Sequence, residues 1–211
     1  MSTESTAPWP TGRIARWPVI SMGGFGAVVL GFAHPERYGL LYGMSPCCMS
    51  FVGLFGPTSP AWAVAARAST SQVEGAPAGT ALVIALASAL SPAPARARGY
   101  GRLPFEPDSA GRLEPRNDVI ARWERGMPAG LAHRLVESRA DRPRIYLEFG
   151  VSDVSSVAPG VAALRGTLDS LGIRYTVSEY QGGHIDRVRE RVSEELLPIV
   201  GRWFGKAVDG R

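Results

Sequence analysis

Apolar positions recur along this chain with two periods, and each period predicts an element where it holds. From Ser21 to His34, residues Phe25, Val28, Val29 and Phe32 fall at i, i+3, i+4 and i+7, one face of a helix that His34-Pro35 ends. Tyr38 to Met44 reads as a buried strand closed by Ser45-Pro46, and Pro60–Ala68 and Gly79–Leu90 read as helices. The last third is the clearest. Ile145, Leu147 and Phe149 alternate within a strand over Arg144–Gly150. Val161, Leu164, Leu168 and Leu171 share a face of a helix over Pro159–Leu171, which Gly172 stops. Arg174–Tyr180 is a further strand. Ile185, Val188, Val192, Leu196, Val200 and Trp203 line an amphipathic final helix over Ile185–Phe204. Strands alternating with helices predict a mostly parallel sheet covered on both faces, a three-layer α/β/α architecture.

Elsewhere the pattern is weaker. Residues 1–13 are rich in Ser, Thr and Pro and are expected to be frayed or disordered, leaving 14–211 as a single domain. Ile14–Ile20 predicts a short strand interrupted by Pro18, a residue tolerated at a sheet edge but not in a central strand. Residues 91–116 hold five prolines and five arginines with no period, which predicts a long surface loop with its arginines on a solvated face. Residues 118–139 predict two short helices separated by Gly126-Met127-Pro128.

Composition narrows the classes of function. The 211 residues are 45% hydrophobic and 20% charged, enough for one core and too few for two comfortable domains. The net charge is +4, and Lys206 is the only lysine among 23 basic residues. The arginines are scattered and many adjoin Asp or Glu, without the basic stripe and interleaved aromatics of a nucleic-acid binder, so no nucleic-acid partner is expected. The longest apolar run, Gly79–Leu90, is well short of the ~20 residues that span a membrane. Met1–Pro18 lacks the pattern of a secretory signal. Cys47 and Cys48 are adjacent, and a bridge between neighbours strains the backbone. They are expected to be buried free thiols, which with the missing signal points to the cytoplasm. With no second Cys pair they are not expected to hold a metal. Gly23, Gly24 and Gly26 lack the Lys and Ser/Thr of a phosphate cradle.

Chemistry concentrates in Val19-Ile20-Ser21-Met22-Gly23-Gly24-Phe25-Gly26-Ala27. A serine between strand and helix, followed by small residues, suits a nucleophile elbow. The backbone N–H of Met22, with Gly23 beside it, would then meet an oxyanion. The same text also suits an ordinary helix-capping serine. A nucleophilic serine needs a base. Of the three histidines, only His184, in Gly182-Gly183-His184, follows a strand, at the end where parallel sheets place their sites. The base needs a carboxylate. Asp153 follows the strand ending at Gly150, with Asp186 as its rival two residues after the histidine. Glu148, inside a strand expected to be interior, is out of place.

The stretch Ile20-Ser21-Met22-Gly23-Gly24-Phe25-Gly26-Ala27, with His34-Pro35-Glu36-Arg37-Tyr38 after it, resembles the esterase D branch of the α/β-hydrolases. That branch includes S-formylglutathione hydrolases, feruloyl esterases and mycolyltransferases. The resemblance resumes at Ile145–Asp153 and at Gly182-Gly183-His184, and covers about two thirds of the chain. Val19 stands where the family has glycine. The family also carries a hundred or more residues before its serine against 20 here, so the resemblance implies an N-terminally truncated hydrolase fold lacking the first strands. It implies hydrolysis of a small-molecule carboxylic ester through an acyl-serine, with Ser21, Asp153 and His184 as catalytic residues and no cofactor. Transfer of the acyl group to another acceptor, and a catalytically silent fragment serving as a binding module or subunit, stay open. An exposed edge near Ile14–Ile20 makes a homodimer an expectation.

Overall fold

The sheet is built around two strands, β3 (Tyr38–Met44) and β6 (Arg144–Gly150), in the computed structural model, which describes residues 14–15, 19–51, 56–68, 75–93, 101–138, 142–153 and 157–209. Both strands keep their predicted limits, β3 from its apolar run and β6 from its alternation. β3 pairs in parallel with β6, and β6 in parallel with β7 (Thr176–Tyr180), which begins two residues later than its pattern predicts. On the other side of β3 lie two short pieces, β1 (Ile14–Ala15) and β2 (Val19–Ile20), paired with its start and its end. Together they stand for the strand expected over Ile14–Ile20. Pro18, between them, lies outside the described residues, as do residues 1–13. Every pairing in this sheet is parallel, and the strand order is β1 and β2, β3, β6, β7.

Period-two alternation sends neighbouring residues of each strand to opposite faces. Leu41, Ile145, Leu147 and Phe149 join the large core. That face is covered by α1 (Met22–Ala33), α2 (Pro60–Arg67), α3 (Ala78–Leu90), α4 (Asn117–Gly126), α5 (Pro128–Leu131), α6 (Arg134–Glu137) and α7 (Val157–Ser170). Trp62 and Trp123, both fully buried, meet there with ring centres 6.0 Å apart. Tyr42, Met44 and Tyr146 point the other way and pack against Leu196, Val188, Val192, Ile199 and Val200 of the C-terminal helix. The three layers are as predicted, and unequal in depth.

Three expectations need correction. The final helix does not start at Ile185, which is 72% exposed. Arg187 adopts the left-handed conformation (φ 54) and ends the preceding turn, so the helix begins as α8 (Val188–Glu190). It then passes through a π-helical turn over Arg191–Leu196 before α9 (Leu197–Asp209). The extra residue in that turn shifts the helical phase, which a constant 3.6 period cannot anticipate. The long loop over 91–116 is not wholly a loop. Residues 94–100 lie outside the described residues. Beyond them β4 (Phe105–Pro107) and β5 (Leu113–Pro115) form an antiparallel hairpin, with Leu103 and Phe105 buried in the core. Its turn is set by Asp108, whose Oδ1 accepts from Ala110 N at 2.9 Å and Arg112 N at 2.8 Å, and by Gly111 at φ +80. Prolines fit because a two-stranded ribbon is all edge. The described arginines pair with carboxylates: Arg102 with Asp118, Arg112 with Asp108, Arg116 with Glu106. Finally, residues 117–137 form three helices rather than two, since Pro128 starts a separate one. Among the described residues no helix is long and apolar enough to cross a membrane.

Candidate active site

Ser21 occupies the turn between β2 and α1. Its N–H donates to Met44 O at 3.0 Å, which ties the turn to the end of β3. A capping serine takes extended backbone angles and accepts a hydrogen bond from the first turn of its helix. Ser59 does this before α2, with φ −61, ψ 130 and its Oγ accepting from Ala61 N. Ser21 does neither. It sits at φ 58, ψ −117, with no side-chain cap bond. Backbone angles this sparsely populated cost about 1–3 kcal/mol and persist only where the surroundings impose them. The capping reading of Ser21 therefore fails, and the helix keeps its first N–H groups, those of Met22 and Gly23 among them, free of intrahelical partners.

At the far side of the same sheet edge, His184 Nδ1 and Asp153 Oδ2 are 2.7 Å apart. The carboxylate side chain is only 11% exposed and the imidazole 37%, so the pair is shielded on the acid side and open on the other. A carboxylate only accepts hydrogen bonds, so Nδ1 carries the proton and donates, leaving Nε2 as an acceptor. Asp186 does not share this role. Its Oδ2 accepts from Gly183 N at 2.7 Å and shapes the turn that carries the histidine. His34 ends α1 beside Glu36, and His133 lies between α5 and α6.

Two glycines let the acid loop and the histidine loop meet. Ser152 N donates to Gly182 O at 3.0 Å, and Val151 N to Tyr180 O at 2.9 Å. A Cβ on Gly150 would collide with the carbonyl of Gly182, and Gly182 itself has φ +149, a conformation that disfavours any side chain. Among the described residues no hydrogen bond joins His184 to Ser21. The Ser21 hydroxyl lies near the Cys47 thiol and lowers its pKa, while the charge of Asp153 raises it. Ser21, Cys47, Asp153 and His184 thus share one rim, at the carboxyl ends of β2, β3, β6 and β7.

Behind the histidine loop is a buried polar cluster that sequence reasoning missed. Glu148 lies in β6 on the face that meets the C-terminal helix, and its Oε1 accepts from Arg191 Nε at 2.8 Å, both side chains being only 3% exposed. Arg191 Nη1 donates to the Tyr180 hydroxyl at 2.6 Å and to Asp186 O at 3.2 Å, and Nη2 to Ser45 Oγ at 3.3 Å. The guanidinium also lies over the Tyr180 ring, 4.1 Å from its centre, and Tyr180 in turn donates to Gly183 O at 2.7 Å. One arginine therefore grips both ends of the turn that presents His184. The signal in the sequence was Glu148 itself, a carboxylate where an apolar residue belongs. Its partner, 43 positions away, is set by the π-helical turn. Among the described residues no group of three or more His, Cys, Asp or Glu side chains could hold a metal ion.

A family model described as "Putative esterase" matches residues 20–190. The chain belongs to that esterase family. The match opens one residue before Ser21 and contains Cys47, Asp153 and His184, so the whole rim lies inside it. Solved structures similar to this chain include a ferulic acid esterase, 16% identical with a TM-score of 0.44, covering 88% of this chain and 49% of that one. Another is a peroxisomal α/β-hydrolase of Saccharomyces cerevisiae (12% identity, TM-score 0.43, 90% of this chain and 53% of that one). A thermophilic esterase from Thermogutta terrifontis matches at 16% identity and a TM-score of 0.40, over 93% of this chain and 66% of that one. The chain thus spans about half to two thirds of the length of these structures. No curated protein matches it in sequence. The fold class is the one read from the sequence, a three-layer arrangement on a mostly parallel sheet.

Proposed function

We propose that this chain is a serine hydrolase of carboxylic esters acting through an acyl-serine, with Ser21 as nucleophile, His184 as base and Asp153 as the orienting acid. The observation that carries the reading is the backbone of Ser21, φ 58 and ψ −117, strained at the head of a helix it does not cap. Such a turn lifts Oγ clear of the strand and aims it at whatever sits on the rim.

In the reaction the Ser21 hydroxyl turns toward His184 Nε2, which accepts its proton as Oγ attacks the acyl carbon. Asp153, 2.7 Å from Nδ1, holds the ring in the tautomer that leaves Nε2 free and stabilises the imidazolium that forms. The N–H groups of Met22 and Gly23, at the positive end of the α1 dipole, receive the oxyanion. His184 then returns the proton to the leaving alcohol, and a water deprotonated by the same nitrogen releases the acid. The space between Nε2 and Ser21 closes when substrate is bound, as catalytic hydrogen bonds commonly tighten only in the complex.

A fluorophosphonate probe with intact-mass readout tests this. The expected result is one adduct at Ser21, absent in Ser21→Ala and strongly reduced in His184→Ala and Asp153→Asn. A folded protein that takes up no probe, and cleaves no short-chain p-nitrophenyl ester, would leave the silent-fragment reading in its place.

A further inference from the structure

The strand-end loop that faces Ser21 carries two thiols in contact. Cys48 Sγ donates to Cys47 Sγ at 3.0 Å, and Cys47 Sγ lies 3.4 Å from Met22 Sδ, on the residue next to Ser21. Both cysteines are free and buried, and they are the chain's only two. Cys48 has φ 60, a conformation disfavoured for a side-chain-bearing residue, and Ser45 at the head of the same loop has φ 39. The loop is therefore strained into the shape that presses the two sulfurs together. We propose that Cys47 and Cys48 are a modification site, a vicinal dithiol that a hydroperoxide converts reversibly to a disulfide, switching off Ser21 beside it. The effect on Ser21 rests on the hydrolase reading above; the dithiol chemistry does not.

The geometry divides the roles. The Cys47 thiol is held below the usual thiol range, chiefly by the hydrogen bond from Cys48 and with help from the Ser21 hydroxyl, against the opposing effect of burial. The same bond and burial push the Cys48 thiol up. Cys47, at the rim beside exposed Met22, is thus the more acidic of the two thiols and the one that meets the oxidant, while Cys48 holds its proton more tightly. The Cys47 sulfur attacks the O–O bond of the hydroperoxide, forming sulfenic acid and releasing an alcohol, or water from hydrogen peroxide. Cys48 sulfur then attacks Cys47 sulfur. The S–S bond forms, the S–O bond breaks, and the hydroxyl leaves as water with the Cys48 proton. Two thiols are oxidised by two electrons and one O–O bond is reduced. The sulfurs need to approach by only about 1 Å to reach bonding distance. Adjacent Cα atoms, ~3.8 Å apart, are closer than disulfides prefer, so the bond is strained and easily reduced again. Closing it displaces the Cys47 sulfur, which lies 3.4 Å from Met22 Sδ, and so alters the contact on that side of the turn that holds the serine.

The test is intact mass of the full chain before and after one equivalent of hydrogen peroxide, with thiol alkylation and fluorophosphonate labelling in parallel. The expected product is a monomer lighter by two hydrogens, with neither thiol alkylated, most Ser21 labelling lost, and both changes reversed by dithiothreitol. Cys48→Ser should stop at a sulfenic acid on Cys47 that a dimedone probe captures. The site is refuted if both thiols still alkylate after peroxide, if oxygen is added without loss of hydrogen, or if the product is a disulfide-linked dimer. An intramolecular disulfide with labelling unchanged would overturn the switch. A disulfide in a protein whose reduced form never labels would uphold the dithiol site and sink the hydrolase reading instead.

Discussion

A side chain that must hold φ 58 does so against its own preferences, and at Ser21 nothing local offsets the cost, since the hydroxyl caps no helix. Glycine reaches the same angles freely. Ser21→Gly is therefore expected to be more stable than Ser21→Ala by about 1 kcal/mol, the strain relieved less the entropy glycine adds to the unfolded chain. Urea unfolding of the two variants measures this, and neither should label. Equal stabilities would mean that the turn carries no strain. The strain was invisible in the sequence, where Ser21 read equally well as a cap. The Gly-rich text after it predicted a tight turn but not the sign of φ.

At the scale of elements, the histidine loop depends on a residue that never touches His184. Arg191→Met leaves Glu148 buried without its partner, and breaking such a pair costs about 3–5 kcal/mol. Arg191→Met combined with Glu148→Leu is expected to recover most of that stability, because the lone charge is gone. It should not recover fluorophosphonate labelling, because the bond to Asp186 O and the anchor on Tyr180 are still missing. Thermal melting and labelling of the single and double variants separate the two effects; a double variant that labels like the unmutated protein would rule out the positioning role. β3 and β6 were legible to the residue, β3 from a nearly continuous apolar run and β6 from the alternation of Ile145, Leu147 and Phe149. The hairpin of β4 and β5 was not. Three-residue strands are too short for a period, and their prolines read as loop. Asp153 and His184 were legible as residues after strands. The contacts of Arg191 and Cys47 were not, since they depend on a shifted helical phase and on a loop folded back over the serine.

The two faces of the sheet differ in a way that bears on the molecule as a whole. Among the described residues, seven helices and two buried tryptophans fill one side, while Tyr42, Met44 and Tyr146 on the other pack mainly against the C-terminal helix. Leu197, 52% exposed, and Phe204, 39% exposed, show how shallowly that helix is seated. Stability is distributed unevenly in such a structure, and the thin layer opens first. Arg191 belongs to that layer, so its departure frees the loop of His184 while the tryptophan-lined core stays intact. Warming is expected to abolish probe uptake at Ser21 several degrees before the fluorescence of the buried tryptophans changes, and cooling should restore it. The protein would then carry its own thermal fuse, set by how tightly its last helix clings to the sheet.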